Sequence, residues 1–324
     1  MIKTIAIRNF KSIKELRLDC KKINILIGEP NSGKSNILES LGVFSYAAYS
    51  AYGDFRNFVR CEKINDLFCD GYLDEPVQID IDGFSFSLQA KAGRFTGEVH
   101  GKKESLLARL EGGYEDLRFT GGLPEELRIF KSYKFAARSM FPHPETDFLL
   151  PPSGSNLLSL ILARRELRSL ANEIFAKYGL KLGLRPQENK IEVMRQSKDI
   201  VVSYPYALAS DTLQRTIFYL AAVLSNRDSV LAFEEPESHA FPYYTKYFAE
   251  TVALGKGHNQ YFISTHNPYL LLPLLEKAPK DDVIILLTYL DDYQTKASPL
   301  SSEEMEEIME IDVFSNLERF LERR

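Results

Sequence analysis

Gly28, Gly33, Lys34 and Ser35 stand in "GEPNSGKSN" at the spacing GxxxxGK(S/T). Glycines so separated let backbone N–H groups turn inward around phosphate oxygens, while the lysine reaches the β- and γ-phosphates and the hydroxyl ligates magnesium. The chemistry this spacing serves is capture of a nucleotide's phosphates with Mg2+, with Glu29, Pro30, Asn31, Ser32 and Asn36 forming the rest of the loop. A second group lies far along the chain, where the apolar run of "VLAFEEPESH" stops at Glu234 and Glu235. Ligand crevices of parallel sheets lie outside the carboxyl ends of the strands, so a buried strand that ends in carboxylates delivers them beside the phosphates. In that arrangement Glu234 holds the metal through water and Glu235 orients or deprotonates the attacking water. Glu234 stands where aspartate is usual, and its extra methylene moves the carboxylate outward. "YFISTHNPYLL" supplies a third strand end, at Ser264, Thr265 and His266, with the imidazole placed to hydrogen-bond the γ-phosphate.

These groups act together only if the intervening chain brings their strands side by side. "IKTIAI", "KELRL" and "INILI" read as three short strands, and from Ser35 the apolar residues Ile37, Leu38, Leu41 and Phe44 recur at helical spacing. Residues 51–75 show no clear periodicity and read as irregular or short helix. "VQIDIDGFSFSLQA" alternates across Asp82-Gly83, a favoured two-residue hairpin turn, and "GRFTGEVHG" adds a strand. "ELRIFKSYKFAA" reads as a strand, followed by a Pro/Gly/Ser-rich connection and a long helix whose apolar stripe runs from Leu157 to Tyr178, with Ser155 as N-cap. After short strands between about Leu180 and Tyr204, apolar strands alternate with amphipathic helices, the pattern of a parallel sheet covered on both faces. The glutamates at 303, 304, 306, 307 and 310 read as the solvated face of a terminal helix.

In their order, "IRNFKSI", "GEPNSGKSN", "AFEEPESHAFP" and "STHNPYLL" resemble the ABC-type ATPase heads of the RecF and SMC group, especially stand-alone OLD-like (overcoming lysogenization defect) AAA-family ATPases. The resemblance implies an α/β P-loop NTPase of ABC/RecF type: a central, mostly parallel sheet flanked by helices, with an antiparallel β subregion and a helical insertion. One head then covers residues 1–324, with a nucleotide-binding core at 1–50 and 206–300, the β subregion and helical lobe at 51–205, and C-terminal helices at 301–324. It further implies that two heads close face to face around ATP, each site completed in trans by the partner's signature segment. Here that segment is "ALASDTLQR", which keeps Ser210, Gln214 and Arg215 but has Thr212 where glycine is expected. A β-branched residue resists φ > 0, which would hinder closure. The same stretch also reads as a capped amphipathic helix. Relatives that cleave DNA carry a separate acidic nuclease domain, for which the residues beyond His266 are too few.

Composition narrows the partners. With 40 Lys+Arg against 45 Asp+Glu the net charge is −5, so no global positive field draws in nucleic acid. "KSYKFAAR" interleaves cations with aromatics and reads equally as a phosphate-gripping DNA contact or as ordinary strand alternation. Three cysteines without a CxxC pair suit a reducing cytosol, and no apolar run is long enough for a membrane span. Two readings follow: a Mg-dependent ATPase that dimerises around ATP in DNA repair or defence against mobile elements, and a slowly hydrolysing switch that sets the state of an effector protein.

Overall fold

The computed structural model describes residues 1–120 and 123–324. At the N-terminus β1 (Thr4–Phe10) and β2 (Ile13–Asp19) form an antiparallel hairpin. β3 (Ile23–Gly28) is buried at all six residues, as befits a strand covered on both faces. It leads through the glycine loop into α1 (Lys34–Tyr49), which is buried almost all round. Such a helix belongs inside a layered core rather than on a surface.

The stretch 51–75 holds the short α2 (Phe55–Phe58) and single turns. β4 (Val77–Ile81) and β5 (Phe84–Lys91) then pair around Asp82 and Gly83, whose φ values of 43° and 88° are those of the left-handed hairpin turn. β6 (Arg94–His100), β7 (Leu106–Gly112) and β8 (Leu117–Thr120) extend an antiparallel sheet of order β2-β1-β4-β5-β6-β7-β8. The antiparallel subregion is therefore continuous with the N-terminal hairpin. β9 (Phe130–Tyr133) is shorter than its apolar pattern and sits in the other large sheet, parallel to the strand of the two glutamates. This changes the reading of "KSYKFAAR". Lys131 and Tyr133 are buried, and the Lys131 ammonium donates to Ser229 Oγ at 2.9 Å while lying 3.9 Å from the Phe148 ring centroid, so neither can grip an external polyanion.

The long helix expected over 157–178 is two, α3 (Leu157–Ala163) and α4 (Arg165–Ala176). Arg164 breaks it in an extended conformation, with its guanidinium donating to the carbonyls of Thr146 and Asp147. Ser155 is not the cap; α3 follows Asn156, whose amide turns inward to the carbonyls of Glu145 and Phe148. β10 (Lys181–Arg185), β11 (Lys190–Ser197) and β12 (Ile200–Pro205) make a small antiparallel sheet. Then come α5 (Asp211–Ser225), β13 (Val230–Glu234), α6 (Pro242–Ala253), β14 (Gln260–Ser264), α7 (Pro268–Lys277), β15 (Val283–Asp291) and β16 (Gln294–Pro299). The chain finishes with α8 (Ser302–Glu310) and α9 (Leu317–Leu321). Glu304 departs from the solvated face expected of α8: it is 4% exposed and accepts from the Ser301 N–H and the Arg324 guanidinium.

The six-stranded sheet, of order β16-β15-β3-β14-β13-β9, is parallel throughout except for β16. Because alternate strand residues face opposite ways, it separates two cores. Ile25, Phe233 and Ile263 point to one, beneath α5 and α6; Leu26, Ala232 and Phe262 point to the other, which α1 fills against the seven-stranded sheet. The chain is thus an α/β fold in which a mostly parallel sheet flanked by helices stands beside an antiparallel β subregion. Phe233 packs among Tyr133, Tyr219 and Phe248 with ring centroids at 5.7 Å each, directly before the two glutamates. Phe233→Ala is expected to cost about 3–5 kcal/mol of unfolding free energy in urea titrations, whereas Tyr293→Ala on the surface stays within about 0.5 kcal/mol.

Candidate functional site

The phosphate loop is pressed against the end of the sheet. A Cβ on Gly28 would lie 2.2 Å from the Thr288 carbonyl oxygen, and one on Gly33, at φ 92°, would lie 1.9 Å from Thr295 Oγ1. Neither position admits a side chain. Asn31 takes φ 66°, and Ser32 Oγ is hydrogen-bonded to Thr288 Oγ1 at 2.7 Å. Gly33 offers α1 no side-chain cap, so the first N–H groups of the helix point toward the loop. Lys34 is buried and bridges the loop from within, its ammonium donating to the carbonyls of Gly28 at 2.8 Å and Glu29 at 2.7 Å. Burial lowers its pKa, against the opposing charges of Glu235, Glu234 and Glu29. Glu29 and Pro30 themselves face solvent.

β13 and β14 run in parallel register, Glu234 beside Ser264, which places the carboxylates next to the loop. The Ser35 hydroxyl donates to Glu234 Oε1, and Arg60 Nη2 lies 3.2 Å from the same oxygen. A hydroxyl and a carboxylate converging at the head of α1 are hard oxygen donors of the type that could hold Mg2+. Among the described residues no cluster of three or more acidic, His or Cys side chains is assembled for a metal. Arg60 also donates to Glu39 Oε1 at 2.7 Å, and Glu39 Oε2 meets the ammonium of Lys11 from the β1–β2 turn. Arg60 and Glu39 lay outside the sequence reading, because the first sits in an aperiodic stretch and the second on a helix that looks simply amphipathic.

Glu235 leaves the strand with φ 42°, its N–H donating to the Ser264 carbonyl at 3.1 Å. Its Oε1 is 3.1 Å from His266 Nδ1, and Ser238 Oγ donates to Oε2 at 3.2 Å. Both members of the pair are substantially open, at 38% and 60% side-chain exposure, so a water molecule has access to the carboxylate. Two residues on, Glu237 is buried and accepts from the Thr265 hydroxyl. Burial chiefly, with the neighbouring Glu235 charge, pushes its pKa up to about 7, against the Thr265 hydrogen bond and His266.

The stretch 207–215, expected from the sequence to be the signature segment, runs into the start of α5. Ser210 is exposed immediately before it. Thr212 lies in the first helical turn, where no positive φ is needed, and its hydroxyl donates to the His239 carbonyl at 2.7 Å. Gln214 is buried and turned inward, donating to the Ala209 carbonyl at 2.9 Å. Arg215 pairs with Asp211 at 2.6 Å and stacks on Phe135 at 4.7 Å, lining with Lys34, Ser35 and Glu234 one cleft of ≈ 700 Å³. Arg215 thus faces the loop of its own chain. Asn36 also lines that cleft and donates to Ser12 Oγ at 2.7 Å. On the other flank a cleft of ≈ 940 Å³ separates Lys34, Glu235 and His266 from Phe314, Asn316 and Arg319 of the C-terminal segment.

The fold recurs in known proteins. The structure is similar to an SMC head bound to the C-winged helix domain of ScpA, at 15% identity and TM-score 0.54, covering 94% of this chain and 99% of that one. It is also similar to an SMC head domain with an extended coiled coil bound to the C-terminal domain of ScpA derived from Pyrococcus furiosus, at 14% identity and TM-score 0.55, covering 95% and 98%. These likenesses concern the fold. A curated relative, an uncharacterized protein of Methanocaldococcus jannaschii, is 51% identical over 61 residues, 18% of this chain; the match spans 26% of that relative's length. A family model described as "AAA domain, putative AbiEii toxin, Type IV TA system" matches residues 23–272, from the strand before the phosphate loop to the helix after His266. The chain belongs to this AAA-domain family.

Proposed function

We propose that the protein is a Mg2+-dependent ATPase whose two copies close around ATP, in DNA repair or defence against mobile elements. The observation that carries this reading is the convergence of Lys34 and Ser35 with Glu234, Glu235 and His266 at three neighbouring strand ends. Lys34 would move its ammonium from the loop carbonyls to the β- and γ-phosphates, exchanging neutral acceptors for charged ones. Ser35 and Glu234 would hold Mg2+, which supplies charge neutralisation on the phosphate oxygens. Glu235 would take the proton of the attacking water, with His266 fixing the carboxylate and contacting the γ-phosphate. The toxin–antitoxin wording of the family description supports the defence side of the proposal, as does the OLD-like order of motifs. We read residues 1–324 as one cytoplasmic head; among the described residues no helix is long and apolar enough to cross a membrane.

A nucleotide-gated switch acting on an effector is the second reading, favoured by the signature segment. With Gln214 turned inward and the Thr212 hydroxyl engaged by His239, Ser210 is the exposed member left to meet a partner's phosphate, which would make turnover slow. Light scattering with and without Mg-ATP, with phosphate release measured in the same samples, tests both. ATP-dependent dimerisation with steady turnover supports the ATPase, dimerisation with negligible turnover supports the switch, and a monomer in every state refutes the closure around ATP. Glu235→Gln is expected to keep ATP affinity, lose hydrolysis by about 10²–10⁴-fold and accumulate as the ATP-bound dimer. Lys34→Ala is expected to weaken ATP binding by about 100-fold in calorimetric titration, the loss of charge-assisted phosphate contacts.

A further inference from the structure

We infer that Glu237 is a positioning residue for His266, holding the strand end that carries the imidazole through the hydroxyl of Thr265; the inference rests on the hydrolytic reading above. Glu237 is 4% exposed, and one of its carboxyl oxygens accepts from Thr265 Oγ1. A threonine hydroxyl has one proton and two lone pairs. With its proton directed to Glu237, the Thr265 oxygen keeps a lone pair for the Asn267 N–H, which donates to it at 3.1 Å. The Thr265 N–H donates in turn to the Leu26 carbonyl of β3 at 3.1 Å. The residues on both sides of His266 are therefore fixed by one hydroxyl, and the direction of that hydroxyl is set by Glu237.

The loop after β13 makes this a two-point clamp. Ser238 N–H donates to the Glu235 carbonyl at 3.0 Å and Ala240 N–H to the Glu237 carbonyl at 2.8 Å, so the turn carrying both glutamates is internally bonded. One carboxylate reaches the imidazole from the solvent side; the other reaches the preceding threonine from inside the protein. Packing alone gives no reason for the second. Glu237 Oε2 is buried and has no hydrogen-bond partner among the described residues, an arrangement that costs stability and that an apolar side chain would avoid. What the carboxyl supplies is an acceptor that an apolar residue lacks.

The test compares Glu237→Gln, Glu237→Ala and Thr265→Val, each alone and combined with His266→Ala, by kcat and KM for ATP and by the ¹H–¹⁵N spectrum of the His266 imidazole in nucleotide-free protein. Glu237→Gln keeps an acceptor oxygen and is expected to hold kcat within about threefold, whereas Glu237→Ala and Thr265→Val lower it by about tenfold or more at unchanged KM. In the His266→Ala background the same changes should cause no further loss, because they act through the imidazole. The ring resonances should move in Glu237→Ala and Thr265→Val and stay in Glu237→Gln. Losses that multiply with His266→Ala, or unmoved resonances in both Glu237→Ala and Thr265→Val, would overturn the inference. A wild type that hydrolyses no ATP would instead remove the proposed function, and the imidazole spectra would still report on the clamp.

Discussion

The parallel register of three central strands is the constraint on which the site depends. Leu26 pairs with Ser264, and Ser264 with Glu234, so β14 and β13 stop at one level and β3 runs two residues further, to Gly28. The chain leaving each strand must turn there, and each turn brings polar groups: the glycine loop from β3, His266 from β14, the glutamates from β13. Had β13 been shifted by one residue, the pleat would have sent Phe233 toward the wrong core and turned Glu234 away from Ser35. The aromatic cluster around Phe233 and the ionic contacts of Glu234 therefore enforce the same register from opposite faces of one short strand.

Much of this was legible from the residues. The phosphate loop, the two acidic strand-end positions and the histidine are each announced by a run of apolar residues that stops, and stopping points of buried strands are where an α/β sheet places chemistry. The Asp82-Gly83 hairpin was equally plain, since few residue pairs tolerate two successive left-handed conformations. The failures have a common physical cause: they lie where tertiary contacts override a local pattern. Arg164 breaks a helix whose stripe continues past it, because the 146–147 carbonyls accept its guanidinium. Lys131 and Glu304, charged residues in apparently solvated positions, are buried against Ser229 and Arg324. Glu237 hides in plain view, one more acid in an acidic stretch until its burial is seen.

The two large sheets divide the work. The six-stranded sheet aligns the strand ends of the candidate site, while the seven-stranded one, through the β1–β2 turn, contributes Lys11 to an ionic chain that runs by Glu39 and Arg60 to Glu234. α1 lies between them, its N-terminus at the phosphate loop and its flanks in one apolar core. A displacement of either sheet against the other would register at the head of this helix, since the packed interior leaves little room for it to slide independently.

Thr288 and Thr295, against which Gly28 and Gly33 are pressed, belong to β15 and β16, more than two hundred and fifty residues downstream of the loop they shape. The nucleotide motif therefore leaves the ribosome well before the wall that forms it. A nascent chain bearing every letter of the motif is consequently not yet able to hold a nucleotide, and ATP can reward folding only after β15 and β16 have emerged and docked. Ligand-assisted maturation would thus act only on a chain already made through β16 and leave the shorter nascent one to its hydrophobic strands alone.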